Sequence, residues 1–261
     1  MKNNKVEIAG IVVETKYTEK PYMLEVKLNV NRKDLGYVEH LKCFIADGNL
    51  MKRKIEVGDY LYSNRAFLTS IKRLREGYLE CPRCHQSRYI KQGVIEACII
   101  LNDFTIKKGL MLEESEGINK IFLLGKIEDR IPYYADRLNL RFTMKCTEEQ
   151  KSILLKNQIK KEKEIKYERM RIQCDQSIVE KVCQTVRMHR FVVIEGEVKQ
   201  YIQRKRRPFR CDCLDALQDT EITYIAHRIR AKDIRMVRIT DDGYENWYKK
   251  GAISLDFVSI F

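Results

Sequence analysis

Two stretches of this chain set flat rings among closely spaced cations, and each runs directly into a pair of cysteines. The first reads Thr69-Ser70-Ile71-Lys72-Arg73-Leu74-Arg75-Glu76-Gly77-Tyr78 and leads to Cys81-Pro82-Arg83-Cys84. The second reads Lys199-Gln200-Tyr201-Ile202-Gln203-Arg204-Lys205-Arg206-Arg207-Pro208-Phe209-Arg210 and leads to Cys211-Asp212-Cys213. Capture of a single nucleic-acid strand needs cations that track phosphates and aromatic faces on which bases stack. The second stretch carries six basic residues in twelve, with Tyr201 and Phe209 among them. The candidate cations are therefore Lys72, Arg73, Arg75, Lys199, Arg204, Lys205, Arg206, Arg207 and Arg210. Tyr22, Tyr60, Tyr62, Tyr78, Tyr201 and Phe209 are the candidate rings, with Phe191 a further one. The alternative is a solvated hairpin, since runs of charge commonly just face water. Tyr60, Tyr62 and Phe191 lie on strand-like segments, where one face must fill a core.

The cysteine pairs suggest a second kind of chemistry. A Cys-x-x-Cys turn brings two thiolates to neighbouring corners of a tetrahedron, which suits zinc but supplies only two ligands. His85 follows too closely to be an easy third. If the two hairpins meet, Cys81, Cys84, Cys211 and Cys213 suffice for one structural zinc site. A degenerate zinc knuckle and two separate thiol pairs are the other readings. Redox catalysis fits poorly, because this Cys-x-x-Cys does not open a helix after a strand. The remaining cysteines, Cys43, Cys98, Cys146, Cys174 and Cys183, each stand singly and read as small buried apolar residues of a reducing cytoplasm.

These residues must be positioned by strands. Leu24-Glu25-Val26-Lys27-Leu28-Asn29-Val30 alternates strictly between apolar and polar, and so does Leu138-Asn139-Leu140-Arg141-Phe142-Thr143-Met144. Further segments correspond in the same order. Asn4-Lys5-Val6-Glu7-Ile8-Ala9-Gly10 matches Asn119-Lys120-Ile121-Phe122-Leu123-Leu124-Gly125, and Pro21-Tyr22 matches Pro132-Tyr133. Leu41 to Ile45 matches Met170 to Cys174, and Asp59 to Ser63 matches Arg190 to Ile194. Glu96 to Ile100 is matched with Ile222 to Ala226. The chain thus reads as two halves of five strands each, with domains at 1–108 and 118–238. Residues 109–117 are the expected linker and 239–261 a tail. The second half carries an insertion near 147–166, crowded with Lys and Glu. It is expected to be a charged helix or mobile arm with little apolar periodicity to bury. Ser177-Ile178-Val179-Glu180-Lys181-Val182-Cys183 suggests a short amphipathic helix.

Composition agrees with this plan. The chain has 261 residues and 44% hydrophobic content, enough for two small cores. A formal charge of +13, from 50 Lys and Arg against 37 Asp and Glu, favours a polyanionic partner. No apolar run reaches 18 residues and the N-terminal residues lack an apolar signal core, so no membrane association is expected and the cytoplasm is the expected location.

Five strands with a helix or turn between the third and fourth is the strand order of the OB-fold. The opening pattern at residues 4–10 and 119–125, together with Arg190-Phe191-Val192-Val193-Ile194-Glu195-Gly196, resembles the bacterial single-stranded DNA-binding protein family. Gly58-Asp59-Tyr60-Leu61-Tyr62 is a looser version of the second motif. The resemblance covers residues 4–106 and 119–237, and implies an all-β chain of two tandem five-stranded OB-fold barrels with short helices. It implies binding of single-stranded DNA without sequence specificity, in replication, recombination or mobile-element transfer, and replication or recombination proteins as partners. The family carries one barrel per chain and assembles four, so two barrels imply a homodimer. The family's acidic tail ending in Pro-Phe is not matched: this tail ends Asp256-Phe257-Val258-Ser259-Ile260-Phe261 and includes Lys249-Lys250.

No Gly-x4-Gly-Lys-Ser/Thr and no His-Glu-x-x-His occurs, and the four histidines lie far apart, so no enzyme is expected. Two other readings fit the same residues. One is a primosome or replication-restart accessory protein that uses one barrel for DNA and the other for a protein. The other is an RNA-binding OB protein.

Overall fold

Alternating segments become strands because a pleated backbone sends successive side chains to opposite faces, and only one face need meet a core. In the computed structural model of the chain, residues 4–19, 21–81, 83–134, 137–209, 213, 218–238 and 259–260 are described. The first half contributes β1 (Asn4–Glu19), β2 (Tyr22–Arg32), β3 (Tyr37–Ile45), β4 (Tyr60–Glu80), β5 (Ser87–Leu101) and the short β6 (Thr105–Lys107). The second contributes β7 (Ile118–Tyr134), β8 (Arg137–Lys145), β9 (Tyr167–Cys174), β10 (Phe191–Phe209), β11 (Gln218–Arg238) and β12 (Ser259–Ile260). Among the described residues three short α-helices punctuate them: α1 (Gly48–Met51), α2 (Glu148–Lys156) and α3 (Val179–Thr185). Among the described residues no helix is long and apolar enough to cross a membrane.

The pairing closes two rings. In the first, β1 pairs β2, β2 pairs β3, β3 runs parallel to β5, β5 pairs β4, and β4 returns to β1. In the second, β7, β8, β9, β11 and β10 follow one another in the same order, with β9 parallel to β11 and β10 returning to β7. The fold is therefore all-β, built on five-stranded barrels of the OB type. Cys43 stands opposite Ile99 in the first parallel pair and Ile172 opposite Ile229 in the second. The counterpart of residues 96–100 is thus 226–230, four residues later than the sequence comparison placed it. The long β10–β11 hairpin explains the slip, because its extra length is taken up before the barrel begins.

Glycines in each ring let neighbouring strands approach closely. A Cβ on Gly10 would lie 2.6 Å from the Asn29 carbonyl oxygen, and one on Gly125 would collide with the Thr143 carbonyl oxygen. An asparagine clips each ring at equivalent places. Asn4 donates to the Leu68 carbonyl at 2.7 Å and accepts from its N–H at 2.9 Å. Asn119 does the same with Val198, at 2.8 and 3.0 Å.

The rings are joined directly. β1 and β7 pair antiparallel, Asn4 opposite Leu123 and Ile8 opposite Asn119, so Val6, Ile8, Ile121 and Leu123 link both interiors in one buried cluster. The expected linker at 109–117 lies packed on β2. The Asn31 amide donates to the Leu112 carbonyl at 2.8 Å, the Gly117 N–H donates to the Asn31 carbonyl at 2.9 Å, and Ser115 is fully buried.

The charged insertion takes one of its two expected forms, a helix, but buries apolar residues that it was not expected to bury. Its helix α2 begins with a capping box, in which the Gln150 N–H donates to Thr147 Oγ1 and the Thr147 N–H donates to Gln150 Oε1. The insertion buries Leu154 of this helix, and Ile159 and Ile165 beyond it, against Met23, Phe44, Phe67 and Ile71 of the first barrel. Each such side chain contributes about 1.5–3 kcal/mol on burial. The insertion is thus a strap from one barrel across the outer wall of the other. Glu168, at the start of β9, fastens it. Its carboxylate is buried and accepts from Lys160 Nζ at 2.6 Å, Thr69 Oγ1 at 2.6 Å and the Ser70 N–H at 3.1 Å. The Ser177–Cys183 segment forms a 3-10 turn (Gln176–Ile178) running into α3. Cys43, Cys98, Cys146 and Cys174 are buried as expected, whereas Cys183 on α3 is exposed, because α3 turns Val182 inward instead.

Candidate nucleic-acid interface

In an OB barrel the loops after the first and fourth strands flank the ligand groove. In the first barrel both carry paired tyrosines. Thr18 Oγ1 donates to the Pro21 carbonyl at 2.6 Å and accepts from the Met23 N–H, which pins the β1–β2 turn. Tyr17 and Tyr22 stack across it, centroids 5.6 Å apart and planes 9° from parallel. On the β4–β5 hairpin, Tyr78 and Tyr89 are direct cross-strand partners with centroids 5.2 Å apart. Lys91 Nζ lies 5.6 Å from the Tyr89 ring centre. Tyr17, Tyr22 and Tyr78 are 52%, 58% and 73% exposed, large apolar rings held in water with no core to fill. Lys72, Arg88 and Lys91 are exposed on the same hairpin.

Not every expected residue joins this surface. Tyr60 and Tyr62 flank the buried Leu61 and point away from the core, each half-buried. Tyr60 donates its hydroxyl to the Glu116 carbonyl at 2.8 Å and Tyr62 to Glu7 Oε1 at 3.2 Å. Burial, reinforced by Glu7, keeps the Tyr62 phenol above its ordinary range and therefore protonated. Phe191 is buried with Leu124, Val193 and Val237 in a small cluster of its own, so it is core rather than a stacking platform. Arg73 and Arg75 lie along β4, opposite Val94 and Gln92.

In the second barrel Tyr201 is half-buried, with the Arg228 guanidinium 3.8 Å from its ring centre, so one face of the ring is taken. Lys199 is engaged inside the molecule: it pairs with Glu39 of the first barrel and, at 3.2 Å, with Glu197. Arg204, Lys205, Arg206, Arg207 and Phe209 lie along β10, opposite Thr223, Ile222, Glu221, Thr220 and Gln218. Arg210 and Cys211 lie outside the described residues.

Sequence reasoning missed Tyr17, Tyr89 and Lys91. Tyr89 was within reach, since Tyr78 and Tyr89 stand equally far from the Cys81–Gln86 turn.

The long hairpins meet at their cysteines. Cys81 Sγ lies 3.4 Å from Cys213 Sγ, and the Sγ atoms of Cys81, Cys84 and Cys213 all fall within 4.8 Å of one another. The Cys81 N–H donates to the Gln86 carbonyl at 2.9 Å and the Arg83 N–H donates to Cys81 Sγ at 3.4 Å. Burial raises the Cys81 thiol, but amide donors from Cys84 and Arg83 and the neighbouring thiols outweigh it and pull it down to about 6.

No protein-family model matches the chain, and no curated protein matches its sequence. Among solved structures it is similar to a deletion variant of the single-stranded DNA-binding protein from Thermus aquaticus. That match has 12% identity and a TM-score of 0.47, over 91% of this chain and 95% of the other. The wild-type Thermus aquaticus protein matches at 11% identity and a TM-score of 0.44, over 91% and 94%.

Proposed function

We propose that this protein binds single-stranded DNA without sequence specificity, stacking bases on tyrosines and meeting phosphates with Lys and Arg. The observation that carries the reading is the pair of exposed tyrosine couples, Tyr17–Tyr22 and Tyr78–Tyr89, on the two groove-flanking hairpins of one barrel. Such rings cost free energy in water and repay it only when something flat covers them. The cations beside them and the net charge of +13 supply the phosphate contacts. On this reading residues 1–108 and 118–238 are the two binding domains, and the arginine-rich end of β10 extends the path on the second. The chain then works as a cytoplasmic binder, not an enzyme, as a homodimer in replication, recombination or mobile-element transfer alongside the proteins of those processes.

The test is fluorescence anisotropy with a labelled poly-dT oligomer over a salt series, with duplex DNA and poly-U as competitors. Binding that weakens with salt and survives duplex competitor is expected. Preferential displacement by poly-U would reassign the surface to RNA. No binding at low salt would leave the barrels as protein-interaction modules, the accessory-protein reading.

A further inference from the structure

We propose that Cys81, Cys84 and Cys213 bind a zinc ion that clips the tips of the two long hairpins, and hence the two barrels, together. Beyond Ile71 and Val94 the β4–β5 hairpin leaves the first barrel. On that arm Cys81 is buried, while Glu80 and residues 83–89 around it are exposed. Cys81 belongs to none of the buried apolar clusters among the described residues. It touches Cys213 from the other barrel's hairpin, held there by Arg83 Nη1, which donates to the Cys213 carbonyl at 2.8 Å.

The spacing is that of ligands. Zinc–thiolate bonds of about 2.3 Å on a tetrahedron put sulfurs about 3.8 Å apart. The Cys81–Cys213 separation of 3.4 Å is close to that edge and far from the roughly 2.05 Å of a disulfide. The turn is also shaped for a thiolate. Cys81 accepts the Arg83 amide N–H, and the tight return is made by His85 in the left-handed region at φ 58°. Three soft thiolates with no carboxylate among them select zinc over magnesium or calcium. Binding releases the thiol protons, and water or a further donor completes the tetrahedron.

The experiment uses the full-length protein, purified under reducing conditions. Its metal content is measured by elemental analysis, and Co2+ replaces the ion to report geometry. About one zinc per chain is expected, with an intense thiolate-to-cobalt charge-transfer band and the visible bands of tetrahedral Co2+. Cys84→Ser and Cys213→Ser should each weaken Co2+ binding by about 100-fold and, by removing one of three thiolates, lower the charge-transfer intensity, with the far-ultraviolet circular dichroism unchanged. Cys183→Ser, at an exposed cysteine on α3, should keep the full complement. Metal-free protein that gives no cobalt band overturns the proposal, as does a Cys81–Cys213 disulfide in the reduced preparation. Equal loss in Cys183→Ser does so too.

Discussion

Arg32 of the first barrel holds Glu197 of the second, Nη1 to Oε2 at 2.9 Å, with 8% and 1% of the two side chains exposed. The pair is the centre of a polar seam. Arg32 also meets Glu39 at 3.2 Å, and Lys232 meets Glu197 at 2.7 Å. Asn119 donates to Glu39 at 2.8 Å. Both carboxylates are buried, so each cation here offsets a desolvation that would otherwise separate the barrels.

Replacing Glu197 with Gln should therefore destabilise the protein by about 3 kcal/mol, because it leaves the buried Arg32 guanidinium facing a neutral partner. Urea denaturation measures this. Glu14→Gln, which breaks an exposed pair with Lys27, should leave the midpoint unchanged.

The same carboxylate predicts an acid dependence. Burial raises the Glu197 pKa, but Lys232, Arg32 and Lys199 outweigh it and hold it below the ordinary carboxylate range. The unfolded chain then binds the proton more readily. The stabilisation is complete above the unfolded value of about 4.3 and is lost as the pH falls through the lower folded value. Midpoints measured from pH 7 to pH 3 should converge for wild type and Glu197→Gln; a gap that stays constant would remove Glu197 from the account.

On the candidate interface, Tyr22→Ala and Tyr78→Ala should each weaken poly-dT binding by about 1–3 kcal/mol without moving the thermal midpoint. Anisotropy and a melting curve on the same samples decide. Unaltered affinity in both variants would make the tyrosine couples ordinary surface.

The arginines of β10 should act through charge alone. Changing Arg204, Arg206 and Arg207 together to Gln should reduce the slope of log K against log salt by about 2, since each phosphate contact on a single strand contributes about 0.7. The loss should be the same for oligomers of different sequence.

Leu154→Ala tests the strap. A leucine fully buried against another barrel should cost about 2–5 kcal/mol, and protease cleavage near 147–166 should accelerate. Unchanged cleavage would mean that the insertion is not held.

The strands were legible because alternation is local: Leu24, Val26, Leu28 and Val30 reveal their buried face in seven residues. What escaped was non-local. Leu154, Ile159 and Ile165 are spaced too irregularly for one helix, and Phe44 and Phe67, which help receive them, lie more than 80 residues away in sequence. Lys199 reads as one cation in a basic run, but its place in the seam is set by Glu39 on another barrel. The meeting of Cys81 with Cys213 was legible only as a condition, since nothing local says that two hairpin tips converge.

The β1–β7 joint has a further consequence. Asn4 faces Leu123 and Asn119 faces Ile8, so the contact maps onto itself under a half-turn, the isologous form that homodimers use. A barrel detached from its neighbour would expose this self-complementary edge, a template for strand addition by any copy of itself. Covalent fusion saturates both edges within one molecule. The edge that a lone barrel would offer to a second copy is therefore already occupied inside the chain.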